Sequence, residues 1–143
     1  VGGTRSGRRR VIVGGVIIGA GLLCYLLASG LLAEVSLWRA EICLEKRLHS
    51  QAMAWLNWAE FLRAPQGELS YLQAKTYRRQ EHFAESAAAL ERALAAGHSR
   101  TEIDRERWLL LAQTGRFNEV QPHWRSLFLN AGSDGPEISR SFV

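Results

Sequence analysis

Apolar and polar positions divide the chain into two regimes. Residues 11–33 carry no charged side chain, 23 positions made mostly of Val, Ile, Leu, Gly and Ala. From Glu34 onward, apolar residues recur at three- and four-residue intervals through stretches rich in Ala, Leu, Glu and Arg. That spacing predicts amphipathic helices, and the absence of alternating β-branched runs argues against strands. Helix breakers fall at Ala64-Pro65-Gln66-Gly67, at Gly97-His98-Ser99 and between Gly132 and Pro136.

The breakers lie roughly 33 to 35 residues apart, a spacing that points to an internal repeat. Laid on itself at an offset of 34, the chain places QEHFAESAAALERAL (80–94) on TGRFNEVQPHWRSLF (114–128). Phe83 then meets Phe117, Glu85 meets Glu119, Leu90 meets Trp124 and Leu94 meets Phe128. One period earlier, Ala52, Leu56 and Ala59 lie under Ser86, Leu90 and Ala93. Each unit is expected to be a helix, a tight turn and a second helix. A single such pair cannot bury its own apolar face, so the units must stack to share a core.

The second unit carries Ala74 at a small position of its first helix and Tyr77 at an aromatic one. Phe83 opens its second helix, and Ser86 and Ala93 are small positions within it. This pattern resembles the tetratricopeptide repeat, whose units are 34 residues of paired antiparallel helices. The third unit departs at Trp108, where a small residue is usual, and at Leu111, where an aromatic is. The first unit departs at Arg47-Leu48-His49, a poor turn. The fold expected is all-α: one N-terminal transmembrane helix followed by a solenoid of about three helical hairpins over residues 34–134. Residues 135–143 would begin a further helix, as if the chain were a piece of a longer protein. The resemblance implies a groove lined by first-helix residues that binds a peptide or partner helix. Carried onto this sequence, those positions are Glu68, Tyr71, Lys75, Arg78 and Arg79, with Arg105 from the next unit. Lys75 and Arg78 would hold an acidic segment through charge-assisted hydrogen bonds. A solvated helix face would place the same residues there with no partner at all.

The uncharged segment is long enough to cross a bilayer, which needs about 20 apolar residues in a helix. It also exceeds the 7–15 residues of an ordinary signal-peptide core, although Ala28-Ser29-Gly30 has the small residues of a cleavage site. Arg8, Arg9 and Arg10 precede it, and Glu34 follows it. The positive-inside rule then leaves residues 1–10 as a cytoplasmic tail and puts the repeat domain outside. In a bacterium, which the excess of 16 Arg over two Lys fits, that side is the periplasm. Gly15 and Gly19 match a helix-dimer motif, in a segment whose five glycines make such a match easy. Trp38 would sit at the headgroups or pack into the first repeat.

Charge and chemistry change this picture little. The net charge of +4 resides in Arg5, Arg8, Arg9 and Arg10, since the remaining 14 basic residues balance 14 acidic ones. A folded domain without basic excess does not suggest nucleic-acid binding. Cys24 and Cys43 lie about 28 Å apart on a continuous helix and cannot pair; Cys43 should be buried and inert. His49, His82 and His98 fall at turns and should be solvated, and no two histidines have metal-ligand spacing. Trp55, Trp58, Trp108 and Trp124 read as packing residues. No nucleophile–base pair, phosphate loop, cofactor or metal motif is present. The function expected is scaffolding: protein–protein binding at the membrane surface, with a membrane-associated protein as partner, the lipid bilayer as support and no catalysis. The rival functions are docking for an enzyme domain beyond residue 143 and a structural place in a membrane complex.

Overall fold

The computed structural model describes residues 29–123. Arg8, Arg9, Arg10, Gly15, Gly19, Cys24 and Trp124 lie outside those residues, as do most of the apolar segment and the expected start of a further helix. Six helices follow one another and pack against their neighbours: α1 (29–45), α2 (His49–Phe61), α3 (Gln66–Arg79), α4 (Phe83–Ala95), α5 (Arg100–Gln113) and α6 (Phe117–Val120). A 3₁₀ turn, Gln121–His123, extends α6. The described residues contain no strand, and none of their helices is long and apolar enough to cross a membrane.

The 34-residue period is written into the backbone. α2, α4 and α6 begin at residues 49, 83 and 117, and α3 and α5 begin at 66 and 100. Between the paired helices, Arg47, Glu81 and Gly115 adopt left-handed φ of 59°, 64° and 79°. Between successive pairs, Arg63 and Gly97 do the same, at 58° and 82°. Each left-handed residue closes its helix with a Schellman motif. The amides of Leu48, His82 and Arg116 donate to the carbonyls of Cys43, Tyr77 and Leu111 over 2.8–2.9 Å. Those of Arg47, Glu81 and Gly115 donate to Leu44, Arg78 and Ala112. The turn at Arg47-Leu48-His49, which looked poor in sequence, is therefore the same turn as the other two. Arg47 accepts a conformation that glycine adopts without cost.

Small residues set the helix spacing. Ala40 and Ala74 are fully buried at matching places in α1 and α3, as are Ala59 and Ala93 in α2 and α4. Leu56, Leu90, Leu69 and Ile103 fill the space between, in a core that runs from Ala33 to Ile103. Ser86 replaces the usual alanine at little cost, because its buried hydroxyl donates to the carbonyl of Ala74 at 3.0 Å and ties α4 to α3. Cys43 is buried in this core. The third hairpin keeps a smaller cluster of its own, Leu109, Ala112 and Val120 flanked by Trp108 and Leu111. An indole cannot enter the close approach that Ala40 and Ala74 occupy, and Trp108 stacks instead on His123, ring centroids 4.1 Å apart.

Two tryptophans correct the expectation of packing: Trp55 and Trp58 are exposed. Trp38, for which packing was one of two alternatives, is exposed as well and projects from α1 with the Arg39 guanidinium 5.8 Å from its ring. α1 itself is unbroken from residue 29 to residue 45, so the last residues of the apolar segment and the first repeat helix share one rod.

Two substitutions separate packing from turn strain. Leu90→Ala is expected to cost about 2–5 kcal/mol, the usual loss for emptying a closed core site. Glu81→Gly is expected to stabilise the chain by about 1 kcal/mol, by removing the left-handed penalty of a residue with a Cβ. Urea denaturation followed by circular dichroism would check both, and a destabilised Glu81→Gly would contradict the turn assignment.

Candidate functional site

α3 carries most of the expected groove residues on one face, and the structure divides them into two groups. Arg78 and Arg79, near its C-terminal end, turn into the fold. The Arg78 guanidinium is fully buried and its Nε donates to Glu106 Oε2 at 2.8 Å, with both side chains at most 2% exposed. The carboxylate expected from a partner is thus supplied by α5 of the same chain. Arg79 donates from Nη1 to the carbonyl of Leu44 at 2.6 Å, placing a cation at the C-terminal end of α1. Free carbonyls and the helix dipole both favour a cation there.

The second group lies toward the other end. Tyr71 is buried, its ring stacked on His98 at 4.3 Å, and the Lys75 ammonium sits 5.6 Å from the tyrosine centroid. His98, read from sequence as a solvated turn residue, has a side chain only 9% exposed. Its Nε2 lies 2.9 Å from Glu102 and its Nδ1 3.6 Å from Glu68, close enough for ion-pair attraction but not aligned as hydrogen bonds. Arg105 is half-buried on α5. Glu68, Tyr71 and Lys75 therefore lie together, joined by His98 and Glu102.

Glu102 has a sequence signal that is visible once the period is known. Glu34, Glu68 and Glu102 stand 34 residues apart, one near the start of the first helix of each unit. Acidic side chains in the first turns of α3 and α5 complement the helix dipoles. Glu106 has no such signal, because it lies 28 residues from Arg78 and occupies the position that Leu72 fills one period earlier.

Two open clefts flank these groups. One, of about 690 Å³, lies at the end carrying the turns at Arg47, Glu81 and Gly115, and its charged lining is mainly basic: Arg47, Arg78 and Arg79. The other, of about 340 Å³, lies between α1 and α3 and is acidic, with Glu34, Glu41 and Glu68 around Leu37, Trp38 and Leu72. Burial withdraws water from the Glu68 carboxylate and pushes its pKa above the ordinary value. His98 opposes that shift, while Glu102, Glu41 and Glu34 add to it. Among the described residues, no group of three or more His, Cys, Asp and Glu is placed to hold a metal. Comparison of the chain with protein families, with curated proteins and with solved structures finds no match.

The buried pair makes a specific prediction. Arg78→Ala strands the Glu106 carboxylate away from water and is expected to cost about 3–5 kcal/mol. The double variant Arg78→Met with Glu106→Leu is expected to recover most of that loss, because no uncompensated charge remains. A double-variant loss equal to the sum of the losses of Arg78→Met and Glu106→Leu alone, measured by chemical denaturation, would show that the pair is not coupled.

Glu68 makes a second. Because folding raises its pKa, the native state holds the Glu68 proton more tightly than the unfolded chain does. Its contribution to stability therefore falls as pH rises through the interval between the two values. Relative to the parent, Glu68→Gln is expected to gain stability as pH rises above the ordinary Glu range of about 4, then level off. Thermal melts of both chains across that range test it, and a difference independent of pH would contradict it.

Proposed function

We propose that this chain is a membrane-anchored, tetratricopeptide-like interaction module whose first-helix face holds a partner protein beside the bilayer. The observation that carries the proposal is the 34-residue recurrence of the same helical hairpin, closed each time by the same left-handed turn. Stacked hairpins of this kind leave one helix of each pair facing a shared groove, and such surfaces serve binding.

The charge pattern supports a partner of mixed charge. One end of the face is basic, around Arg47 and Arg79, and the other is acidic, around Glu34, Glu41 and Glu68. Tyr71 and Lys75 lie on α3 between them. With charge of both signs along one face, a bound segment would be selected by register as well as by sign. Anchoring rests on the uncharged residues 11–33, the arginines before them, and the unbroken α1 that leads out of that segment. The positive-inside rule places the module on the non-cytoplasmic side.

Photo-crosslinking in native membranes tests the proposal directly. A photoreactive amino acid replaces Lys75 or Arg105 in the full chain, and Ala88, exposed on α4, serves as the control site. Discrete adducts are expected from positions 75 and 105, and none from position 88. Absence of adducts at 75 and 105, or the same adducts at all three positions, would overturn the groove assignment.

A further inference from the structure

The first hairpin carries more exposed aromatic surface than the repeat needs. On α2, Trp58 is 56% exposed and Phe61 77% exposed, with their rings packed edge-to-face at 5.7 Å; Trp55 is exposed beside them. On α1, Leu31, Leu32, Val35 and Trp38 are exposed as well. A contiguous apolar surface on a folded domain marks a place of contact, and tryptophan suits one that is half apolar and half wet.

The hairpin geometry says how far these residues lie from the end of the apolar segment. α1 and α2 are joined by a three-residue turn around Arg47, so they run antiparallel, and residues equally distant from Arg47 lie side by side. Phe61 therefore stands level with Ala33, Trp58 with Ser36, and Trp55 with Arg39. At a rise of about 1.5 Å per residue, Trp58, Trp38 and Trp55 lie roughly 5, 8 and 9 Å beyond Ala33 along the helix axis. The headgroup layer on each side of a bilayer is about 5–8 Å thick. Phe61, Trp58 and Trp38 thus fall within the depth of the headgroups and Trp55 at its outer edge, whichever way around the hairpin they face.

We infer that Trp38, Trp55, Trp58 and Phe61 form an aromatic girdle that seats the first repeat in the bilayer interface, so that the domain stands on the membrane in a fixed orientation. This inference rests on the anchor proposed above. The occupant of the patch is the lipid headgroup layer. On the first hairpin the exposed charges near this level are Arg39 and Arg63 against Glu34 and Glu60, so they cancel, and seating of that hairpin does not require anionic lipid. Held this way, α1 stands upright on the bilayer and the acidic cleft between α1 and α3 opens close to its surface. The basic cleft stands farther out, at the turn end of the helices.

Spin-label accessibility in the full chain, reconstituted in phosphatidylcholine vesicles, tests the inference and its foundation separately. Cys24 and Cys43 are replaced by Ala, and single cysteines are introduced as Ile17→Cys, Phe61→Cys and Gln51→Cys, the last exposed near the opposite end of α2. The expected result is a label at 17 reached by oxygen and shielded from aqueous nickel, a label at 61 reached by nickel several-fold less than the label at 51, and a label at 51 open to water. If 17 lies in lipid while 61 is as open to nickel as 51, the anchor stands and the seating fails. If 61 is shielded from nickel and oxygen alike, a protein surface such as a second copy covers the patch, and the inference is overturned. If 17 itself is open to nickel, the anchor fails and the seating with it.

Discussion

Between residues 45 and 117 the chain reverses direction five times, and every reversal is closed by the same pair of backbone hydrogen bonds around one left-handed residue. The rest of the structure depends on that closure. It returns each helix alongside its predecessor, and so lets Ala40, Ala59, Ala74 and Ala93 meet their neighbours at close range. It sets the register that places Phe61 level with Ala33 and lines up Glu34, Glu68 and Glu102. Only two of the five left-handed residues are glycines. At the other three, packing of the flanking helices outweighs a local penalty of about 1–2 kcal/mol.

Within that frame the charges fall into distinct roles. Arg78 and Glu106 neutralise each other where water does not reach, which makes them a demand on the fold's specificity more than a source of binding. Arg79 and the first-turn glutamates lie where helix dipoles favour their sign, so part of the charge pattern along the groove has a structural cause. The remaining groups, Lys75 and Arg105 together with the carboxylates around the α1–α3 cleft, are half-buried or exposed. On them the proposed binding face depends. Glu68 connects the two roles: it helps hold His98, yet its own charge is disfavoured by burial and by the carboxylates near it.

Much of the helical layout was legible in the residues because it has local causes. The offset of 34 could be seen in Phe83 and Phe117, in Leu56 and Leu90, and in Ala59 and Ala93, all of which answer to one repeated packing environment. The turn at Arg47 was harder to see, since no Gly or Pro announces it and its conformation is imposed by the helices on either side. Of the candidate site, Tyr71, Lys75 and Glu68 were legible from their spacing along one helix face. His98 and Glu106 were not, because each takes its meaning from a residue 27 or 28 positions away.

The sequence by itself determined the division into an uncharged segment and a helical domain, the absence of strands among the described residues, and the period of the hairpins. Those properties follow from hydrophobic spacing and helix breakers, which act over a few residues. The tertiary structure alone decided which charges are spent inside the fold and which aromatic rings remain outside it. Arg78 and Arg79 are adjacent to each other and similar in kind to Arg105, yet one is buried on a carboxylate and the other caps a helix. Trp55 and Trp58 have the composition of core residues, yet they are exposed because no helix of the described chain covers that face of α2. Burial is a property of neighbours in space, and those neighbours are set by how the hairpins stack.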